Sequence, residues 1–304
     1  MFVNDFGDVL APMEAVMSEP LADKNDLRGL RYAMRTDGSG GFVFINHYQR
    51  LAKLFDNEDV VINTGTVKFP PINVRGDVSF ILPFNIKLGA NLLKFATAQL
   101  MCRVGDTYFF AAPDGIEARY SFGDGTKFTA KPGLDSAVSV NGIRIVTLTW
   151  DEARFARKLG DTLYIGEDCD LYYDGDIRSA AGGNFLYYKW TGNAFREHAV
   201  RSRFEQAKVS FMECGEPFEP TERYELEIGG KRPLKWYKAE VSTADGFIEI
   251  PFECDVAQLY ADGKLVADNF WYGIPWRVPA RLIYGKETYV VCSELRNDFY
   301  KEVI

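Results

Sequence analysis

Residues 36–51 read TDGSGGFVFINHYQRL, and the changes of character along this stretch set the class of fold. Asp37-Gly38-Ser39-Gly40-Gly41 is a run of turn formers that tolerate unusual backbone angles. Phe42 to Ile45 are apolar and rich in aromatic and β-branched side chains, a run too short for a stable helix and of ordinary length for a strand. Asn46, His47, Tyr48, Gln49 and Arg50 then return the chain to polar surroundings. A tight turn, a short apolar run and a polar exit together specify one arm of a hairpin.

The pattern repeats along the whole chain. Asp-Gly occurs at Asp37, Asp114, Asp124, Asp174, Asp245 and Asp262, and Asn-Gly at Asn141, all suited to short hairpin turns. Between them lie VSFILPF, TYFFAAP, IEARYSF, IRIVTLTW, DTLYIG, NFLYYKW, KVSFMEC, YELEIGG, GFIEIPFE and ETYVVCSEL. Short strands separated by turn signals, without long alternating helices, predict an all-β protein of antiparallel sandwich or jelly-roll domains.

Two segments read as helix. Phe6, Leu10, Met13, Val16 and Met17 share one helical face near the start, interrupted by Pro12. Thr149-Trp150-Asp151-Glu152 is a capping box; ARFARKL continues it, and Gly160 supplies a stop. The expected division is a helical linker at 1–30, a first β unit at 31–130, a second with the short helix at 131–205, and a third at 206–304.

Composition narrows the partners. At 34.4 kDa, with 47% hydrophobic residues, the chain has material for two or three domains. A formal charge of −8 argues against a nucleic-acid partner, which requires a basic stripe. No stretch approaches the roughly 18 uncharged apolar residues of a membrane span, so no membrane partner is expected. The start, MFVNDFGDVLAP, has no positive or apolar region of signal-peptide type. Cys102, Cys169, Cys214, Cys254 and Cys292 are scattered, with no Cys-x-x-Cys pair. They read as buried reduced thiols in a cytoplasmic protein and not as a zinc site.

Chemistry is sparse. His47 and His198, the only histidines, have no partner at metal-ligand spacing, and His47 reads as a strand-end side chain, either at the surface or hydrogen-bonded in a crevice. The motifs of a serine nucleophile elbow and of a phosphate loop are missing, and no cofactor is implied. The best metal candidate is GEDCDLYYDGD, where Asp168, Asp170, Asp174 and Asp176 supply hard oxygen ligands for calcium. Tyr172 breaks the calcium-loop spacing, and a solvated hairpin turning at Asp174-Gly175 is the competing reading. In DNFWYGIPWRVP, Trp271, Tyr272 and Trp276 form a candidate aromatic platform for a sugar ring, with Asp268, Asn269 and Arg277 to bond its hydroxyls. The same rings also suit the cap of a sandwich core.

LRYAMRTDGSGGFVFINHYQR resembles the segment that follows the catalytic barrel in bacterial β-galactosidases of glycoside hydrolase family 35. The resemblance continues through ILPFNIKLGANLLKFATAQLMCR and TYFFAAPDGIEARYSF. It returns in DVAQLYADGKLVADNFWYGIPWRV and SELRNDFYKE, which are similar to the jelly-roll domain of those enzymes; 131 to 240 resembles them less. Many relatives there carry a second Asn in place of His47. The resemblance implies a glycosidase acting on terminal β-galactosides, whose two catalytic glutamates lie on a barrel not represented here. The one Asn-Glu pair, Asn57-Glu58, sits in a charged DNED loop, so no catalytic residue carries over. The implied role is the non-catalytic β region of such an enzyme, partnered by the barrel of the same or a companion chain. Alternatives are a carbohydrate-binding module for galactosides and a self-contained glycosidase using two carboxylates from separate strands. NDFGDVLAPMEAVMSEP resembles the exit from the barrel, from which Phe6, Leu10 and Met13 are expected to contact that barrel and to lie exposed without it.

Overall fold

The computed structural model describes residues 1–18, 23, 25–49, 52–201, 207–219, 233–271 and 273–294. Strands take 53% of the described residues and helices 6%, so the all-β expectation holds. The predicted strand YELEIGG, the end of the chain from 295, and Tyr272 fall outside the described residues. Two compact units emerge, one formed by 1–173 with 186–199, the other by 174–185 with 200–304. The expected division at 130/131 therefore lies inside the first unit.

The opening stretch builds the centre of that unit. Gly41–His47 pairs antiparallel with Tyr32–Thr36 on one side and Val78–Leu88 on the other, within a seven-stranded sheet. Asp37 closes the turn: its Oδ1 accepts from the backbone of Ser39 and of Gly40, each at 2.8 Å. These bonds, with Gly40 the foremost, hold its carboxyl below the ordinary aspartate range. Gly40 is required by close approach, because a Cβ there would sit 2.2 Å from the Asn85 carbonyl oxygen.

Asn85 is itself a device of the strand beneath. It adopts φ +45°, and its amide donates to Ser39 O at 2.8 Å. Phe80, Leu82 and Phe84 face one core, whereas Ile86 and Leu88, of the same parity, face another. One left-handed residue in an extended strand changes the face that its successors present.

A second sheet of four strands, Val138–Val140, Ile143–Thr149, Thr107–Ala112 and Gln99–Val104, packs against the first. Thr107–Ala112 is buried at all six positions. Tyr108, Phe110 and Ala112 enter the core shared with Phe42 and Tyr120, while Phe109 and Ala111 enter a second core with Leu163, Ile165 and Trp190. The second core is closed by a four-stranded sheet of Ala156–Leu159, Thr162–Gly166, Phe185–Trp190 and Phe195–Val200. Thr107–Ala112 and Ile143–Thr149 run parallel, a departure from the antiparallel expectation. The chain between them crosses to the seven-stranded sheet as Ala118–Phe122 and Lys127–Ala130, which supplies the long connection that parallel pairing needs.

Both helix expectations require correction. The first helix spans Phe2–Leu10 and stops ahead of Pro12; Val16 and Met17 lie on the exposed strand Glu14–Met17 instead. Phe6 and Met13, 7% and 5% exposed, are buried in this unit's own core, and Leu10 is half-buried against it. Phe6 and Met13 therefore have their partner within the chain, and the expectation of their exposure is overturned, while Val16 and Met17 stay exposed. At the second helix the capping box forms, with Glu152 N donating to Thr149 Oγ1 at 3.2 Å and Thr149 N to Glu152 Oε2 at 2.8 Å. The helix nevertheless ends at Arg154, and Ala156–Leu159 forms a hairpin with Thr162–Gly166 around Gly160. Five helical residues bury no side chain, whereas the strand buries Ala156 fully.

The second unit is a smaller sandwich. Its five-stranded sheet runs Val209–Cys214, Leu234–Val241, Thr288–Ser293, Val256–Ala261 and Lys264–Phe270, and Phe247–Ile250 pairs with Trp276–Pro279 opposite. Ile248, Ile250, Trp276 and Val278 from the small sheet meet Ala239, Leu259 and Val290 from the large one. Asp262-Gly263, both at positive φ, closes the predicted two-residue hairpin.

Candidate functional site

Strand alternation in the second unit decides which of the proposed sugar-contacting residues can act together. Trp276 and Arg277 are neighbours on one strand, so they point to opposite faces. Trp276 is 7% exposed and belongs to the core, while Arg277 is exposed and pairs with Glu249 at 3.0 Å. Asp268 is exposed on the strand Lys264–Phe270, whereas Asn269 is half-buried on its other side. Tyr272 lies outside the described residues.

Trp271 is placed differently. Its backbone N–H donates to Asp255 O at 3.1 Å, which fixes the chain as it leaves the strand. Its half-buried ring meets Phe252 edge-on with centroids 5.3 Å apart, and Phe252 in turn reaches Trp276 at 6.1 Å. Phe252 thus stands between the two tryptophans, one in the core and one at the surface. Pro251, Phe252, Glu253, Trp271 and Pro275 line a cleft of 310 Å³. The first three also border a cavity of 570 Å³ that reaches Lys235, Tyr237 and Glu294. Apolar ring faces with carboxylates and an ammonium group at their rim suit a polyhydroxylated ligand. Phe252, Glu253, Lys235 and Tyr237 escape a sequence reading because they come from separate strands and loops, and no local motif marks them.

The remaining candidates are held by structural contacts. His47 is fully buried, with Nε2 2.7 Å from Phe55 O and 3.0 Å from Asn57 Nδ2, so the crevice alternative is the correct one. His198 is exposed and stacks on Tyr187 with centroids 4.9 Å apart. Asp170 pairs with Arg157, and Asp174 lies 3.5 Å from Arg178. Asp176 Oδ1 accepts from Ile177 N at 2.8 Å, and Asp168 sits at φ +51°. Among the described residues no three His, Cys, Asp or Glu side chains converge on a metal-sized space, so these four aspartates do not form a calcium cage. No helix among the described residues is long and apolar enough to cross a membrane. No disulfide joins the five cysteines; Cys102 and Cys254 are buried, while Cys169, Cys214 and Cys292 are half-buried rather than fully buried as expected. The chain matches no protein-family model and no curated protein.

Proposed function

We propose that this chain is the non-catalytic β-sandwich region of a β-galactosidase-type glycosidase, buttressing a catalytic barrel of the same or a companion chain, with the second unit as its jelly-roll galactose-binding-like domain. The observation that carries this reading is the use made of the residues bearing the resemblance. Gly40 fits over the Asn85 carbonyl, Asn46 Oδ1 accepts from Ser79 Oγ at 2.7 Å, and His47 is bonded inside the core. Asn46 Oδ1 and His47 Nε2 thus serve contacts within the fold, as a scaffold requires, while His47 Nδ1 is buried without a hydrogen-bond partner. The test has two arms. The chain alone should not hydrolyse a chromogenic β-galactoside, and it should raise the melting temperature of the family 35 barrel that is contiguous with it or encoded beside it. Turnover by the isolated chain, or a barrel indifferent to equimolar folded chain, rejects the proposal.

The Trp271 cleft favours a second reading, that the second unit holds galactosides directly. Titration with galactose, lactose and a β-galactan should then change tryptophan fluorescence saturably, with half-saturation at roughly millimolar sugar, about −4 kcal/mol. Trp271→Ala should abolish the change while the chain stays folded. A flat response from the folded wild-type chain excludes this reading.

A further inference from the structure

Cys254 and Cys292 are far apart in sequence, yet both border the 570 Å³ cavity of the second unit. The strand Thr288–Ser293 brings them together. Cys292 is paired in register with Ala257 on one side and Lys235 on the other, and Asp255 N donates to Ser293 O at 3.2 Å. The Cys254 thiol is buried and donates to Val256 O at 3.2 Å, and both cysteines pack into the same core of the second unit. Cys292 is half-buried and reachable from the cavity.

We propose that Cys254 and Cys292 form a reversible dithiol/disulfide site in the cavity wall, with low-molecular-weight disulfides as its oxidising substrates. The two sulfurs have different roles. The neighbouring Cys254 thiol, foremost, and the Lys235 ammonium push the Cys292 thiol down, towards the thiolate that attacks disulfides. The Cys292 sulfur, foremost, and burial push Cys254 up, which keeps its proton until the second step. In the first step Cys292 thiolate attacks one sulfur of a small disulfide, forming a mixed disulfide and expelling one thiolate. Cys254 then loses its proton and attacks the Cys292 sulfur, expelling the second thiolate. Two electrons pass from the protein pair to the small disulfide, which leaves as two thiols after protonation. The new bond ties the end of Thr288–Ser293 to Cys254, next to the Pro251–Glu253 stretch that lines both the cavity and the Trp271 cleft. The reaction does not depend on what the cavity binds.

The full chain, equilibrated in glutathione buffers of increasing oxidised fraction and trapped by alkylation, tests this by mass spectrometry. The expected result is loss of two hydrogens and of two alkylation sites, with a Cys254–Cys292 cross-linked peptide that dithiothreitol reverses. Cys254→Ser should stop at a glutathione adduct on Cys292. Cys292→Ser should leave Cys254 a free thiol. A pair that remains reduced at every ratio in a chain retaining its near-ultraviolet circular dichroism overturns the proposal. So does a cross-link that maps to another pair of cysteines, or one that appears only after that signal is lost.

Discussion

Asp5→Ala should lower the stability of the first unit by about 3 kcal/mol, the scale for breaking a mostly buried ion pair from one side. Asp5 Oδ1 and Oδ2 lie 2.6 and 2.8 Å from Lys158 Nζ, with side chains only 14% and 19% exposed. Asp5 Oδ2 also accepts from the backbone N–H of Arg103 at 2.7 Å. That N–H belongs to Gln99–Val104, the edge of its four-stranded sheet. One carboxylate therefore joins the first helix, a sheet edge and the hairpin that carries Lys158. Alanine would leave an ammonium group and a backbone donor without partners, and those penalties exceed the modest net value of the pair itself. Lys158→Met should cost less, because Asp5 keeps the Arg103 bond. Urea unfolding followed by fluorescence gives both losses; an Asp5→Ala loss below about 1 kcal/mol would place the pair in the solvent-screened class.

Gly40→Ala should cost about 3 kcal/mol, at the upper end for forcing an extra carbon into a packed site. The new Cβ would lie 2.2 Å from Asn85 O and 2.9 Å from its carbonyl carbon, and both are backbone atoms that cannot swing aside. Relief requires moving the Asp37 turn off the strand Val78–Leu88 and weakening the Asn85 amide bond to Ser39 O. Gly38→Ala in the same turn separates steric from conformational cost. Gly38 sits at φ +89° with nothing within 4 Å of a Cβ, so only about 1 kcal/mol of backbone strain is expected. Equal thermal shifts for the two variants would mean that the Asn85 contact does not govern this turn.

The two glycines also mark how much of the fold was readable from sequence. The turn, the strand Gly41–His47 and the capping box at Thr149 are local events, encoded within a few adjacent residues. Asp262-Gly263 and Asn141-Gly142 likewise announce their hairpins. What failed depended on distant chain. ARKL carries an acceptable helical pattern, but Ala156 has a site in the core only as part of a strand. The stripe of Phe6 and Met13 was recognisable, whereas its destination beside Phe42 and Tyr108 was not. Asn85 inside an apolar run gave no sign of turning its strand over. The cavity of the second unit was the least legible, because Lys235, Phe252, Glu253 and Cys292 converge only once the sheets have formed. Of the sugar-contact residues expected from one loop, Trp271 remains at the cleft, Trp276 supports it from within, and Arg277 faces away.

Thr107–Ala112 has a further consequence. A strand that gives Phe110 to one core and Phe109 to the next is a shared wall, and neither compartment can open while the other stays intact. The three stacked sheets of the first unit should behave as one cooperative block, with amide protons on that strand among the last to exchange. An enzyme that carried such a block would have a single rigid strut on which to lean, and not a string of beads.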